Sequence, residues 1–390
     1  MLFYGYATGV FSARKIERAT YESAPFRFIA GNRHPDHDTL AHFRTSFLSE
    51  LKGLFVEILL IARLAGVLQL GRISFDGTKI HADASKSNAV SYQRLLEIEQ
   101  KLQAEVEELF ALGERAERAD LPDGLVISAE IALRTARLAR LAEAKAVLEA
   151  RANERHALEQ AEYDAKVRER EAKAAKSGRK PGGRPPQPPT AGPRAKDQYN
   201  FTDPDSRVMK NSTNQGFDQD YHAQVAVDQA SFLIVGESLS NHPNDQAEAP
   251  PTLESIAPQL GQPGAAALDN GFFSATNIEL FQSRGIDPYI ATGRDAHHQS
   301  WQERFADQPA PPPQDASPQV QMAYKLKTTL GKAIYAARKC TVEPVIGIIK
   351  AVLGFRQFSL RGAEAVAGEW CLVCLAFNLK RLHSLLLSHP

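Results

Sequence analysis

Hydrophobic and polar positions change rhythm several times along this chain. In residues 1 to about 70, apolar and charged positions mix at helical spacing. FSARKIERATYES comes first. A longer segment begins near Asp36, with Asp38 or Thr39 as its cap, and runs through LAHFRTSFLSELKGLFVEILLIARLAGVL to Gly71. This pattern predicts a small N-terminal helical domain, residues 1–70. RISFDGTKIHADAS then shifts toward strand character. Ile73 and Phe75, then Thr78 and Ile80, predict a strand or hairpin, with Asp76-Gly77 as the turn signal.

From Ser91 to about Lys176 the chain is rich in Ala, Leu, Glu, Arg and Lys. Leu95, Ile98, Leu102, Val106 and Leu109 recur at three- and four-residue steps; LPDG at 121–124 interrupts them, and Val126, Ile127, Ile131, Leu138, Leu141 and Val147 resume. Two long antiparallel helices, a coiled-coil hairpin, are expected. SGRKPGGRPPQPPTAGPRAK (177–196) is too rich in Pro and Gly for a regular element and reads as a basic linker. Beyond Gln198, alternation returns. YHAQVAVD and FLIVGESLS read as adjacent strands, AAAL as a buried strand, TNIELFQSRG as a helix and PYIAT as a short strand. From Val320 the chain turns helical, interrupted around GFRQFSLRG. The expected class is α/β with a mixed sheet. Its catalytic domain is split into residues 71–90 and 197–390, with 91–196 inserted between them.

With 390 residues, 43% of them apolar, the chain can fold into two or three domains. The formal net charge is zero, so any attraction to nucleic acid must be local. Cations concentrate in the linker (Arg179, Lys180, Arg184, Arg194, Lys196) and in the tail (Lys325, Lys327, Lys332, Arg338, Lys339, Lys350, Arg356, Arg361, Lys380, Arg381). Three cysteines exclude a disulfide framework and suit a reduced cytoplasm. Cys371 and Cys374 have C-x-x-C spacing but lie in an apolar run, so buried thiols are expected rather than zinc ligands. The start lacks the basic segment of a signal peptide. The run from Leu54 to Leu70 holds Glu57 and Arg63 and is short for a bilayer, so no membrane is expected.

Three carboxylates stand out by context. Asp76 follows ISF, Asp269 follows AAAL, and Glu343 begins VEPVIGIIKAVLGF, where Pro344 suits a first helical turn. A carboxylate at the end of a buried strand is costly unless paired or bound to a cation. Two such strand ends converge at one sheet edge, and three carboxylates there suit two Mg²⁺ ions. The plainer alternative is that Asp-Gly and Asp-Asn-Gly are turns. Asp245, in SNHPNDQ, is either a metal neighbour or, by preference, a surface-loop residue. Asp83, His297 and His298 read as solvated. No Gly-rich phosphate loop, Ser-His-Asp arrangement or paired zinc motif is visible in the sequence.

FDGTKIHADASK, NFTDPDSRVMK, YHAQVAVD, LDNGFFS and VEPVIGIIKAVLGFRQFSLRG occur in that order. Together they resemble the blocks of bacterial insertion-sequence DDE transposases. YGYATGVFSARKIERA and DHDTLAHFR are similar to that group's N-terminal helical region. The resemblance covers most of the chain outside 91–196. It implies a ribonuclease-H-like fold, catalytic and metal-binding roles for Asp76, Asp269 and Glu343, and two Mg²⁺ ions, with Mn²⁺ as a substitute. It also implies Tyr335, Arg338 (or Lys339) and Lys350 as DNA contacts. The implied activity is cleavage of double-stranded DNA at element ends and joining to target DNA, by a homo-oligomer. The chain departs from the family in reading YHAQ for YNAQ and in carrying His81 where an acidic residue is common. Family members usually have more chain before the YGY segment, so a truncated, non-catalytic DNA-binding or assembly relative is the alternative expectation.

Overall fold

The structure, a computed structural model, describes residues 1–115, 122, 124–177, 182, 185–210, 216–293, 310–313 and 315–388. It divides into two compact units, residues 1–84 with 205–390 and residues 85–204. Arg179, Lys180, Arg184, His297, His298 and two positions of the LPDG break lie outside the described residues.

The first unit opens with five helices: α1 (Leu2–Ala7), α2 (Ala13–Glu22), α3 (Ala24–Ile29), α4 (His37–Ser46) and α5 (Leu48–Leu64). Asp36 caps α4, its side chain accepting from the Thr39 amide at 2.6 Å; the cap therefore falls earlier than Asp38 or Thr39. Leu51, Phe55, Ile58, Leu59 and Ala62 recur at helical spacing on α5 and are all buried. That helix stops at Leu64 with Gly66 at φ +74°, short of Gly71.

Strand β1 (Arg72–His81) follows, and it runs straight through Asp76-Gly77. The expected turn is absent because the whole segment pairs with one long partner, from Ile73 opposite Asp228 to His81 opposite Asp220. A ladder of that length outweighs a local turn preference.

The second unit holds β2 (Ala89–Ser91), α6 (Tyr92–Arg115), α7 (Ile127–Ser177) and β3 (Gln198–Asn200). Strands β2 and β3 pair antiparallel. Leu95 and Leu102 of α6 pack with Leu141, Ala144 and Leu148 of α7. Cross-helix bonds fix the direction: Tyr92 with Glu149, Glu99 with Lys145, Glu105 with Arg134. Partner numbers fall as α6 advances, so the helices are antiparallel.

The chain re-enters the first unit with β4 (Arg207–Lys210), β5 (Phe217–Asp228), β6 (Ile234–Ser240), α8 (Ala249–Glu254), β7 (Ala265–Leu268), α9 (Ala275–Ser283) and β8 (Asp287–Ile290). Helices α10 (Pro318–Lys327) and α11 (Thr329–Gly347), a π-helical turn (Ile348–Val352) and α12 (Ala363–Ser388) complete it. The sheet runs β4-β5-β1-β7-β8, with β6 on the same edge of β5 as β4. β1, β5 and β6 alternate in direction, while β7 and β8 lie parallel to β1 and to each other.

Helix α12 is long and apolar enough to cross a membrane by length and composition, but 56% of its apolar window is buried inside the protein. It packs on α1, α5 and β6. Trp370, Cys371 and Cys374 are fully covered, both cysteines as free thiols. Asn378 satisfies the backbone of β6, accepting from Ile234 N at 2.9 Å and donating to Ile234 O at 2.7 Å. Glu369, fully buried, joins the two ends of the chain. Its Oε1 accepts from the Tyr6 hydroxyl at 2.9 Å, which in turn accepts from Arg44 Nη1 at 3.0 Å. Its Oε2 accepts from the amides of Ser359 and Leu360 at 2.8 and 2.9 Å.

Removing that carboxylate leaves a buried guanidinium unpaired. Glu369→Ala is expected to cost about 3–5 kcal/mol, read as a lower urea midpoint at unchanged slope, whereas Lys380→Ala on the exposed side of α12 moves it little.

Candidate active site

Asp76 sits in mid-strand on β1, its side chain 20% exposed. Asp269 stands one residue beyond β7. Ser74 pairs with Ala267 across these parallel strands, so both aspartates lie two residues past the same rung. Asp269 also caps the turn that follows, its Oδ1 accepting from Gly271 N at 2.8 Å. The turn reading and the site reading thus describe one residue.

Asp245 joins them, although the sequence favoured a surface loop for it. Its Oδ1 accepts from Gln224 Nε2 at 2.8 Å and lies 3.1 Å from His222 Nε2. Two glycines make the space. A Cβ on Gly77 would fall 2.6 Å from Asp245 Oδ1; one on Gly271 would fall 2.7 Å from Asp245 Oδ2 and 3.0 Å from Asp269 Oδ1. The available signal was the YHAQ tract: His222 and Gln224 alternate onto one face of β5, and both reach Asp245.

Glu343 lies on α11, which begins at Thr329 and continues through Pro344, so this proline is not in a first turn. Thr341 Oγ1, 3.0 Å from Ser74 Oγ, ties α11 to β1. Arg338 bridges the carboxylates: Nη1 is 3.2 Å from Asp76 Oδ2 and Nη2 is 3.4 Å from Glu343 Oε1. Five helical residues turn through about 500°, and the long arginine side chain spans the remaining angle. Its Cζ lies 5.8 Å from the Tyr335 ring. Lys350, in the π-helical turn, donates to Thr78 Oγ1 at 3.0 Å and to Lys79 O at 2.9 Å.

Lys339 is exposed. Other tail cations are engaged in structure: Lys325 with Asp287 and over the Tyr289 ring, Arg361 with Asp83, Arg356 with the Lys350 carbonyl, Arg381 with Ser231 O. Asp83 is thus an ion-pair partner. His81 is bound to Asp220 at 2.7 Å.

Burial raises the Asp76 carboxyl to about 7; Arg338 pulls it down, while Asp269 and Asp245 push it up. Burial and the charge of Asp245 also raise Asp269. Burial pushes on Asp245 too, but hydrogen bonds from His222 and Gln224 outweigh it and hold that carboxyl below its usual range. Burial lowers Lys350. The donors are all hard oxygens, the kind Mg²⁺ takes. Among the described residues no group of three His, Cys, Asp or Glu side chains is arranged around one ion. The set fits in kind, with Glu343, 51% exposed and drawn to Arg338, standing off from the aspartates.

An Asp that titrates higher in the folded chain than in the unfolded one weakens the fold as pH rises between the two values. In metal-free protein, Asp76→Asn is expected to match the wild type below about pH 4 and to be about 2–4 kcal/mol more stable above about pH 7. Thermal unfolding across that range in a chelator checks this, and equal stability at both ends refutes it.

Residues 313–383 match the family model described as Transposase DDE domain, and residues 1–46 match that described as Transposase domain (DUF772). No curated protein and no solved structure matches the chain. The first match contains Tyr335, Arg338, Glu343 and Lys350; the second covers α1 to α4. The two matched segments, each similar to a transposase domain, meet in one core through Tyr6, Arg44 and Glu369.

Proposed function

We propose that the chain is an active transposase that cleaves the phosphodiester at its element's ends and joins the freed 3′-hydroxyl to target DNA. Asp76, Asp269 and Glu343 would hold two Mg²⁺ ions, or Mn²⁺ in their place, and Asp245 would orient the aspartates from beside them. Such ions activate the attacking oxygen and stabilise the leaving one in phosphoryl transfer. The observation that carries this reading is the register of Asp76 and Asp269 on adjacent parallel strands, under the helix that bears Glu343.

The strand arrangement supports a ribonuclease-H-like domain: three antiparallel strands, β1, β5 and β6, then β7 and β8 parallel to β1. Arg338 takes part by balancing Asp76 and Glu343, and Tyr335 by lying against Arg338. Lys350 acts by fixing β1 beside the cluster. Lys327, Lys332 and Lys339 are exposed cations on α10 and α11, suited to backbone phosphates. An element has two ends, so a homo-oligomer is expected to assemble on them, with the α6–α7 hairpin as a coiled-coil arm. DNA in the cytoplasm is the substrate.

Labelled DNA carrying the element's own ends, with Mg²⁺ or Mn²⁺, tests the proposal. Asp269→Asn should abolish nicking by about a thousandfold or more, while its affinity for the end stays within about twofold. Persistent nicking in that variant rules out the assignment. Wild-type binding without any nicking favours the non-catalytic relative.

A further inference from the structure

The helical unit carries a pocket that the carboxylate chemistry does not use. It is about 580 Å³ and lies between the start of α6, the first third of α7 and the segment after β3. Three arginines line it: Arg94 from α6, and Arg137 and Arg140 one turn apart on α7. Asn88 and Thr202, hydrogen-bonded to each other at 2.9 Å, form a polar rim. No carboxylate is among the side chains lining it.

Arg137 and Arg140 differ from Arg94 and from several other cations of this unit. Arg134 is paired with Glu105 and Glu130, Lys145 with Glu99, Arg155 with Asp197 and Arg194 with Glu159. Arg94 reaches Glu97 on its own helix. Among the described residues Arg137 and Arg140 have no acidic partner. Arg140 is nevertheless positioned: its guanidinium lies over the Phe201 ring at 5.2 Å, and that ring meets Tyr199 edge-on at 5.3 Å. Stacking occupies the face of a guanidinium and leaves its N–H edge free. A planar fork held in that way suits the paired oxygens of a phosphodiester.

We infer that this pocket binds the backbone phosphates of duplex DNA through Arg137 and Arg140, with Arg94 at its edge. The choice of DNA among phosphate ligands rests on the transposase reading; the anion chemistry does not. Each neutralised phosphate releases counterions and adds about 0.9 to the slope of log affinity against log salt.

The test uses the full chain and fluorescence anisotropy of a labelled duplex over a salt series. Arg137→Ala with Arg140→Ala should flatten the slope by about 1.8 and weaken binding about tenfold or more near 0.15 M salt. Lys166→Ala with Arg168→Ala, the same charge removed farther along α7, should change the slope by less than half as much. Arg137→Gln with Arg140→Gln keeps the side-chain stems and is read identically if the alanine pair melts early. An unchanged slope in a folded variant overturns the inference, as does an equal loss in the Lys166 and Arg168 control. A chain that binds through these arginines but never nicks overturns only the proposed function. A chain that nicks with affinity indifferent to Arg137 and Arg140 overturns only this inference.

Discussion

Three aspartates crowd one sheet edge with a single buried guanidinium among them. Asp76, Asp245 and Asp269 repel one another in a poorly solvated place, and Arg338 offsets only part of that repulsion. Such an arrangement works against the stability of the metal-free chain and persists because the rest of the fold over-determines it. Nine successive rungs between β1 and β5 hold Asp76 in place. Gly77 and Gly271 leave out the side-chain atoms that would displace Asp245. Buried carboxylates therefore outnumber the buried cation beside them, and burial with mutual repulsion raises both Asp76 and Asp269.

The surrounding core explains how that strain is sustained. Helix α11 is pinned to β1 by Thr341 and Ser74, with Gln229 donating to both Ser74 Oγ and Ile334 O. Helix α12 is fastened to β6 through Asn378 and to the N-terminal helices through Glu369, Tyr6 and Arg44. The N-terminal and C-terminal segments that match transposase families are therefore parts of one hydrophobic core.

Much of this was legible from hydrophobic spacing. The strands within YHAQVAVD, FLIVGESLS, AAAL and PYIAT appear where alternation or a short apolar run predicted them, and the helical hairpin follows its three-to-four spacing. Local signals misled where long-range pairing prevailed. Asp76-Gly77 has turn chemistry but lies within a continuous ladder, and Pro344 sits inside a helix whose packing tolerates the lost hydrogen bond. Asp245 was read by preference as a surface-loop residue, with a metal neighbour as the alternative, because its polar loop has no periodicity; His222 and Gln224, distant in sequence, fix its position. Counting cations along the tail overstated the DNA-facing charge, since Lys325, Arg361 and Arg381 are engaged within the protein.

The most direct measurement is the anomalous scattering of Mn²⁺ soaked into crystals of the protein. The shared register of Asp76 and Asp269 predicts a peak at about 2.0–2.2 Å from oxygens of both, with Glu343 turned away from Arg338 toward it. A clear map with no density between these two aspartates, or with Mn²⁺ bound only elsewhere, would contradict the account.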